Sequence, residues 1–250
     1  MTESIHSSAV IHPSANIADN VEVGPFSVIH SNVSVASGSK IGAYCELGVK
    51  SSLGDGSPLV IGKNSIIRSH AVFYESSRFG ANLVTGHRVT VRENTIAGEN
   101  LQIGTLGDIQ GDCIIGDYVR FHSNVHVGKK SKIGDFVWIF PYVVLTNDPH
   151  PPSEILQGVV IEDYAVIATM AVILPGAKVG LGAMIGAHSS LKGEAESNMV
   201  YLGSPAKKIC RTSKVKLQDG TGRSAYPWVT HFSRGYPKSV VDSWGAFNDE

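Results

Sequence analysis

Cysteine is scarce in this chain of 250 residues. Only Cys45, Cys113 and Cys210 occur, without CxxC spacing. An odd number without that spacing fits a reducing cytosol better than a disulfide framework. Charge of one sign is also lacking. The net charge is −1 at neutral pH, so no basic field marks a nucleic-acid partner. Long apolar runs are missing, and nothing approaches the roughly 18 residues that read as a membrane span. The opening MTESIHSSAV lacks the charged and apolar stretches of a signal peptide. Apolar spacing of three to four, the mark of an amphipathic helix, is absent from most of the length.

What is present is a period of six. It runs through Ile11, Ile17, Val23, Ile29, Val35, Ile41, Leu47 and Leu53, slips by two residues, and resumes at Ile61. It continues through Phe73, Phe79, Thr85, Val91, Ile103, Ile109, Phe121, Val127, Ile139 and Leu145, and again from Ile161 to Leu191. Only Thr85 in that series is polar. Four residues after the bulky position sits a small one, as in Ser27, Ser65, Ala71, Ser131, Ala165, Ala171 and Ser189. One bulky and one small inward residue per face suit a narrow, close-packed core. Glycine often follows the bulky residue, as at Gly24, Gly62, Gly80 and Gly104, which reads as a corner where φ turns positive. A short fixed period predicts an all-β solenoid, a parallel β-helix of about ten triangular coils. Three hexads make a coil, so residues eighteen apart stack vertically.

Three interruptions stand out. The slip at Gly54–Val60 reads as a short surface bulge. Between Leu145 and Ile161 the chain extrudes Thr146-Asn147-Asp148-Pro149-His150-Pro151-Pro152, and long loops in compact repeats are usually functional or disordered. Three prolines argue against disorder. The repeat ends after Leu191. The expected division is a β-helix over 1–197, with an extruded loop at 146–160, and a C-terminal extension over 198–250. That extension carries Tyr226, Trp228, Phe232, Tyr236, Trp244 and Phe247. It is too aromatic for typical disorder and is expected to pack on the solenoid or a neighbouring subunit, with one short helix within Pro237–Phe247.

The stretch Ile173-Leu174-Pro175-Gly176-Ala177-Lys178-Val179-Gly180, with Gly203-Ser204-Pro205-Ala206-Lys207, resembles the hexapeptide-repeat acyltransferases. That resemblance implies a left-handed β-helix, a homotrimer, a cytoplasmic location and an acyl-CoA co-substrate, acetyl-CoA first. Thr85-Gly86-His87-Arg88-Val89-Thr90-Val91-Arg92-Glu93, then Phe121 to Val127, then Leu145-Thr146-Asn147-Asp148, resembles the nucleotide-sugar N-acetyltransferases. The implied acceptor is the amine of a nucleotide-linked amino-sugar used for surface polysaccharide. No metal is expected. Where several of those enzymes carry an acidic residue one coil below the loop asparagine, this chain has Lys129.

Acyl transfer from a thioester needs an unprotonated nucleophile, a proton acceptor and a donor for the oxyanion. Asp108 stacks under His126, and an aspartate there can fix the imidazole tautomer. His126 is therefore the first base candidate, against the alternative of a surface histidine at a corner. Asn147, Asp148 and His150 of the extruded loop complete the candidate catalytic group; the alternative is that Asn-Asp-Pro only starts a turn. The resemblance assigns His87, Arg92, Glu93 and Asn124 to the nucleotide-sugar, with Arg92 gripping phosphate; an Arg92–Glu93 surface pair is the competing reading. Ala165, Thr169, Ala171, Gly186 and Ala187 would pair with the pantetheine arm, and Lys207 and Lys208 would meet the phosphates of coenzyme A.

Two alternatives stay open. Ile11-His12-Pro13-Ser14-Ala15 and Val23-Gly24-Pro25-Phe26 resemble the UDP-N-acetylglucosamine O-acyltransferases, which use acyl carrier protein; a sugar O-acetyltransferase is close to that reading. The γ-class carbonic anhydrases share the fold and bind zinc through three histidines, and His87, His122 and His126 come near that spacing.

Overall fold

The computed structural model describes residues 5–244. Short parallel strands, most of two residues, build three sheets of ten, ten and eleven strands along one axis. The all-β solenoid expected from the period is present. Every third strand pairs with the same sheet, and the register step is eighteen, as in Asp108↔His126 and Ile109↔Val127. Alternation along each strand sends Ile109, Val127 and Leu145 inward, each at most 1% exposed, and their neighbours outward. Among the described residues no helix is long and apolar enough to cross a membrane.

The small inward serines do more than fill space. Ser27 Oγ donates to Gly42 O at 2.7 Å and Ser131 Oγ to Gly128 O at 2.6 Å. These bonds satisfy corner carbonyls that would otherwise be buried without partners. Thr85, the polar member of the bulky column, is explained likewise: its hydroxyl accepts the Arg68 N–H at 3.0 Å. Cys45 and Cys113 are inward core residues. Burial pushes the Cys113 thiol up to about 11.

Most glycines after the bulky residues have a different cause from the one expected; Gly48, at φ 83°, is the exception. Of the positions Gly24, Gly62, Gly80 and Gly104, none has a positive φ. At Gly80 a Cβ would lie 2.7 Å from the carbonyl carbon of Gly98 on the next coil. Backbone proximity between coils, not turn conformation, excludes a side chain there. The left-handed corner residues come three positions before the bulky one. They include Asn20, Asn64, Asn82 and Asn100, with φ between 56° and 62°, where asparagine is tolerated. Higher on that corner stand Tyr118, Phe136 and Tyr164, also at positive φ. Their rings stack with centroids 5.1 Å apart and planes 6° apart in each step, which offsets the strain of a bulky left-handed residue.

Both interruptions leave from one corner. Val33 pairs with Leu59 and Lys132 with Val160, steps of 26 and 28 in place of 18. The first excursion is therefore a full hexad plus two residues, larger than a bulge. Leu53, counted in the inward series, is 55% exposed. The helix also runs past residue 197: Met199–Leu202 is its last parallel strand, and Lys207–Arg211 folds back antiparallel on it. That returning strand covers the open edge of the sheet.

The C-terminal extension packs along the solenoid. Trp228, Val229, Tyr236 and Trp244 form a second apolar cluster against Tyr118, Phe136, Trp138, Tyr164 and Val166. Trp138 Nε1 donates to Tyr236 OH at 3.1 Å, and Arg120 Nη2 donates to Gly235 O at 3.1 Å. The Arg120 guanidinium lies 4.3 Å from the Tyr236 ring centroid and 4.8 Å from that of Trp138, within cation–π range. The expected short helix is Lys238–Ser243, entered through Pro237. Phe247 lies outside the described residues.

Candidate active site

Asp108 and His126 sit outward on neighbouring strands of one sheet, directly above one another. His126 Nδ1 and Asp108 Oδ2 are 2.9 Å apart. An ionised carboxylate only accepts, so Nδ1 carries the proton and Nε2 is left as the acceptor. Gln110 Nε2 donates to both oxygens of Asp108, at 2.9 and 2.7 Å. Burial alone pushes the Asp108 carboxyl up. The hydrogen bonds from His126 and Gln110, with the charges of His126 and Arg92, outweigh that and hold it below the usual carboxylate range. The side chains of His126 and Asp108 are 39% and 35% exposed, so a substrate can reach the imidazole. Its Nε2 has no partner among the described residues.

The extruded loop stands beside this pair. Gln157 N donates to Asn147 O at 2.7 Å and Gly176 N to Gln157 O at 3.1 Å, closing the neck. A Cβ on Gly128 would lie 3.2 Å from the Asn147 Cβ. The absent side chain at Gly128 lets Asn147 rest against the coil, two residues along from His126. Asp148 is spent within the loop: it accepts from His150 N at 3.0 Å, Ser153 N at 3.0 Å and Ser153 Oγ at 2.6 Å. Its expected catalytic part gives way to a turn-forming one, because its oxygens are occupied. His150 is exposed on the same loop.

The expected nucleotide-sugar group is divided. Glu93 is fully buried and cannot touch a substrate. Arg92 Nε and Nη2 donate to its two oxygens at 3.2 and 3.3 Å. Lys129 Nζ lies 3.8 Å from Glu93 Oε1 and 3.1 Å from Asp112 Oδ2. Arg92 is thus taken up by a carboxylate, not set free for phosphate. Glu93, Gly111, Lys129 and Asn147 share one vertical column, so Lys129 beneath Asn147 faces the carboxylate of Glu93 two coils further down. His87 is around the corner from Arg92. Its Nδ1 is 2.8 Å from Ser69 Oγ, and it borders an open groove of about 800 Å³ with Glu22, Lys40 and Arg68. Asn124 occupies the corner itself, at φ 59°.

Two of the expected cofactor contacts are corrected. Ala165 and Ala171 are fully buried, and their carbonyls accept Trp138 N and Val144 N of the coil below. They are the small inward residues of their hexads and face no ligand. Gly186 is in the ladder too, its N–H bonded to Tyr201 O at 2.9 Å. Thr169 is half-buried and Ala187 exposed. Lys207 and Lys208 are exposed on the returning strand; Lys208 Nζ is 2.8 Å from Glu196 Oε1.

Gln110 was missed in the sequence although the signal was there: two residues after Asp108, it shares its face of the strand. His122 is the third histidine of the carbonic-anhydrase reading. Its ring stacks on Phe140 with centroids 4.7 Å apart. Burial, then the Arg120 charge, lower its basicity. Among the described residues no group of three or more histidine, cysteine, aspartate or glutamate side chains is arranged to hold a metal.

The coil, its hexads and the outward Asp–His pair define a hexapeptide-repeat β-helix protein. Residues 14–49 match the family model for the bacterial transferase hexapeptide (six repeats), and the chain is similar to the hexapeptide-repeat transferases. Over 93 residues it is 36% identical to 2,3,4,5-tetrahydropyridine-2,6-dicarboxylate N-acetyltransferase of Staphylococcus aureus strain JH9, covering 37% of this chain. The match spans only 33% of that relative's length. The UDP-N-acetylglucosamine acyltransferase of Arabidopsis has the same fold: TM-score 0.69 at 22% identity, over 83% of this chain and 74% of that one.

Proposed function

We propose that this protein transfers an acyl group from a thioester to a nucleotide-linked sugar, with His126 as the general base. The observation that carries this reading is the 2.9 Å Asp108–His126 bond, braced by Gln110, on an imidazole whose side chain is 39% exposed. Nε2 takes the proton of the acceptor as its oxygen or nitrogen bonds the thioester carbon. The resulting imidazolium, steadied by ionised Asp108, returns that proton to the departing thiolate as the C–S bond breaks. Asn147, which rests against Gly128, orients the acceptor in this reading. A neutral amine needs little help from a base, whereas an alcohol needs much. The Asp–His pair therefore favours a hydroxyl acceptor over the amine expected from the sequence. Acyl transfer is also the activity named for the staphylococcal and Arabidopsis proteins. The homotrimer and cytoplasmic setting implied by the resemblance belong to the same proposal.

The test is product formation from UDP-linked sugars, with acyl-CoA in one arm and acyl-loaded carrier protein in the other. Turnover on a hydroxyl acceptor that vanishes in His126→Ala supports the reading. Full activity of His126→Ala at every pH would remove His126 as the base, and turnover confined to amino-sugars would restore the amine acceptor.

A further inference from the structure

The C-terminal extension does not lie flat on the solenoid. Between them remains a cavity of about 300 Å³, at the lower end of the range for small-ligand sites and far too small for a peptide domain. Trp138, Phe140, Trp228 and Phe232 wall it, with His122 and Arg234. One wall is a set of nearly parallel rings: His122 on Phe140 at 13°, and Trp138 on Phe140 at 25°. Phe232 stands edge-on to Trp138, at 85° and 5.5 Å. The exposed Arg234 has its guanidinium 5.6 Å from the Phe232 ring centroid. Trp228 is only 6% exposed and lines the cavity as an apolar wall.

These features select one ligand chemistry. Flat aromatic walls favour a planar ring, because base–aromatic stacking is open to any π-face. Arg234 calls for an anion attached to it. An aliphatic chain would fill the volume but gain nothing from the stacked rings of His122, Phe140 and Trp138. We infer that this cavity binds the base of a nucleoside phosphate, with the phosphate toward Arg234. Such a group is carried both by a nucleotide-sugar and by the adenosine 3′-phosphate end of coenzyme A. The inference concerns binding and stands whether or not acyl transfer is the reaction.

All three tryptophans of the chain, Trp138, Trp228 and Trp244, belong to this cluster, so the intact protein reports binding by its own fluorescence. Titrations excited at the red edge, clear of nucleotide absorption, are run with uridine 5′-monophosphate, adenosine 3′-monophosphate, inorganic phosphate and octanoate. Saturable quenching by a nucleotide is expected, and whichever nucleotide gives it names the source. Phe232→Ala and Arg234→Glu should each weaken it by about 10-fold or more, the loss of one stacking or charge-assisted contact. Arg234 is exposed, so its variant keeps the fold should Phe232→Ala disturb the extension. Quenching by octanoate with both nucleotides inert, no saturation at millimolar nucleotide, or unchanged affinity in Arg234→Glu would each overturn the inference.

Discussion

Replacing Asp108 by asparagine preserves size and polarity but removes one acceptor and the charge beside His126. Oδ2 of Asp108 accepts from Gln110 Nε2 at 2.7 Å and lies 2.9 Å from His126 Nδ1; Gln110 Nε2 also donates to Oδ1 at 2.9 Å. An amide NH2 at the Oδ2 position sets two donors against each other at His126, so Nδ1 gives up its proton and Nε2 gains one, the wrong tautomer for a base. With the NH2 turned away the tautomer is kept, but in both orientations the counter-charge for the imidazolium is gone. Buried triads of this kind lose up to about 10⁴ in kcat on such a change. Here Asp108 is 35% exposed, and solvent screening moves the expectation to about 10², or about 2.7 kcal/mol of activation free energy. The assay is single-turnover acyl transfer against pH, with KM and the melting temperature measured in parallel. The loss should fall on kcat, with KM and melting little changed. A kcat within about threefold of wild type, alongside an inactive His126→Ala, would show that Asp108 does not set the tautomer.

Three further outcomes follow from other contacts. Glu93→Gln should destabilise the helix by about 3–5 kcal/mol, because the fully buried carboxylate faces Arg92 and Lys129 and its loss strands their charges; urea unfolding within about 0.5 kcal/mol of wild type would contradict this. Ser153→Ala should speed proteolytic cleavage within the extruded loop, and so should acid in the wild type. The Ser153 hydroxyl first, then the backbone bonds, hold Asp148 below the usual carboxylate range. A depressed folded pKa gives support that is full above the unfolded value of about 3.9 and is lost as pH falls through the folded one. Cleavage that is insensitive to both changes would refute the staple. Arg120→Ala removes the bond to Gly235 and the contacts over Tyr236 and Trp138; a red shift of tryptophan emission, with a stability loss of about 1–2 kcal/mol, is expected. An unshifted spectrum would show that the extension holds without it.

The coil was legible because each hexad meets the same packing demand, so the period survives in the residue types. Stacking follows from the period and pairs Asp108 with His126 from the sequence alone. Leu53 shows where that reading fails: it keeps the count of six yet lies in an excursion, since periodicity records spacing and not whether the chain has left the coil. Arg92 and Glu93 show a second limit. A motif that resembles a substrate grip can be consumed by a neighbour two coils away, here Lys129, and only the side-chain geometry reveals the competition. The same holds for Asp148, whose oxygens are taken by Ser153 and the His150 backbone.

By itself the chain's order of residues determined the solenoid, the eighteen-residue stacking, the two places where the coil is broken and the partner of His126. Those depend on short-range repetition, where one inward position constrains the next. Only the tertiary structure decided which charged candidates are already paired, that most of these glycines answer to backbone approach between coils, and where the aromatic extension docks. The extension has no period of its own. Its position on the Tyr118–Phe136–Tyr164 ladder and Trp138, and the cavity it encloses, come from contacts between segments more than sixty residues apart, which no local pattern encodes.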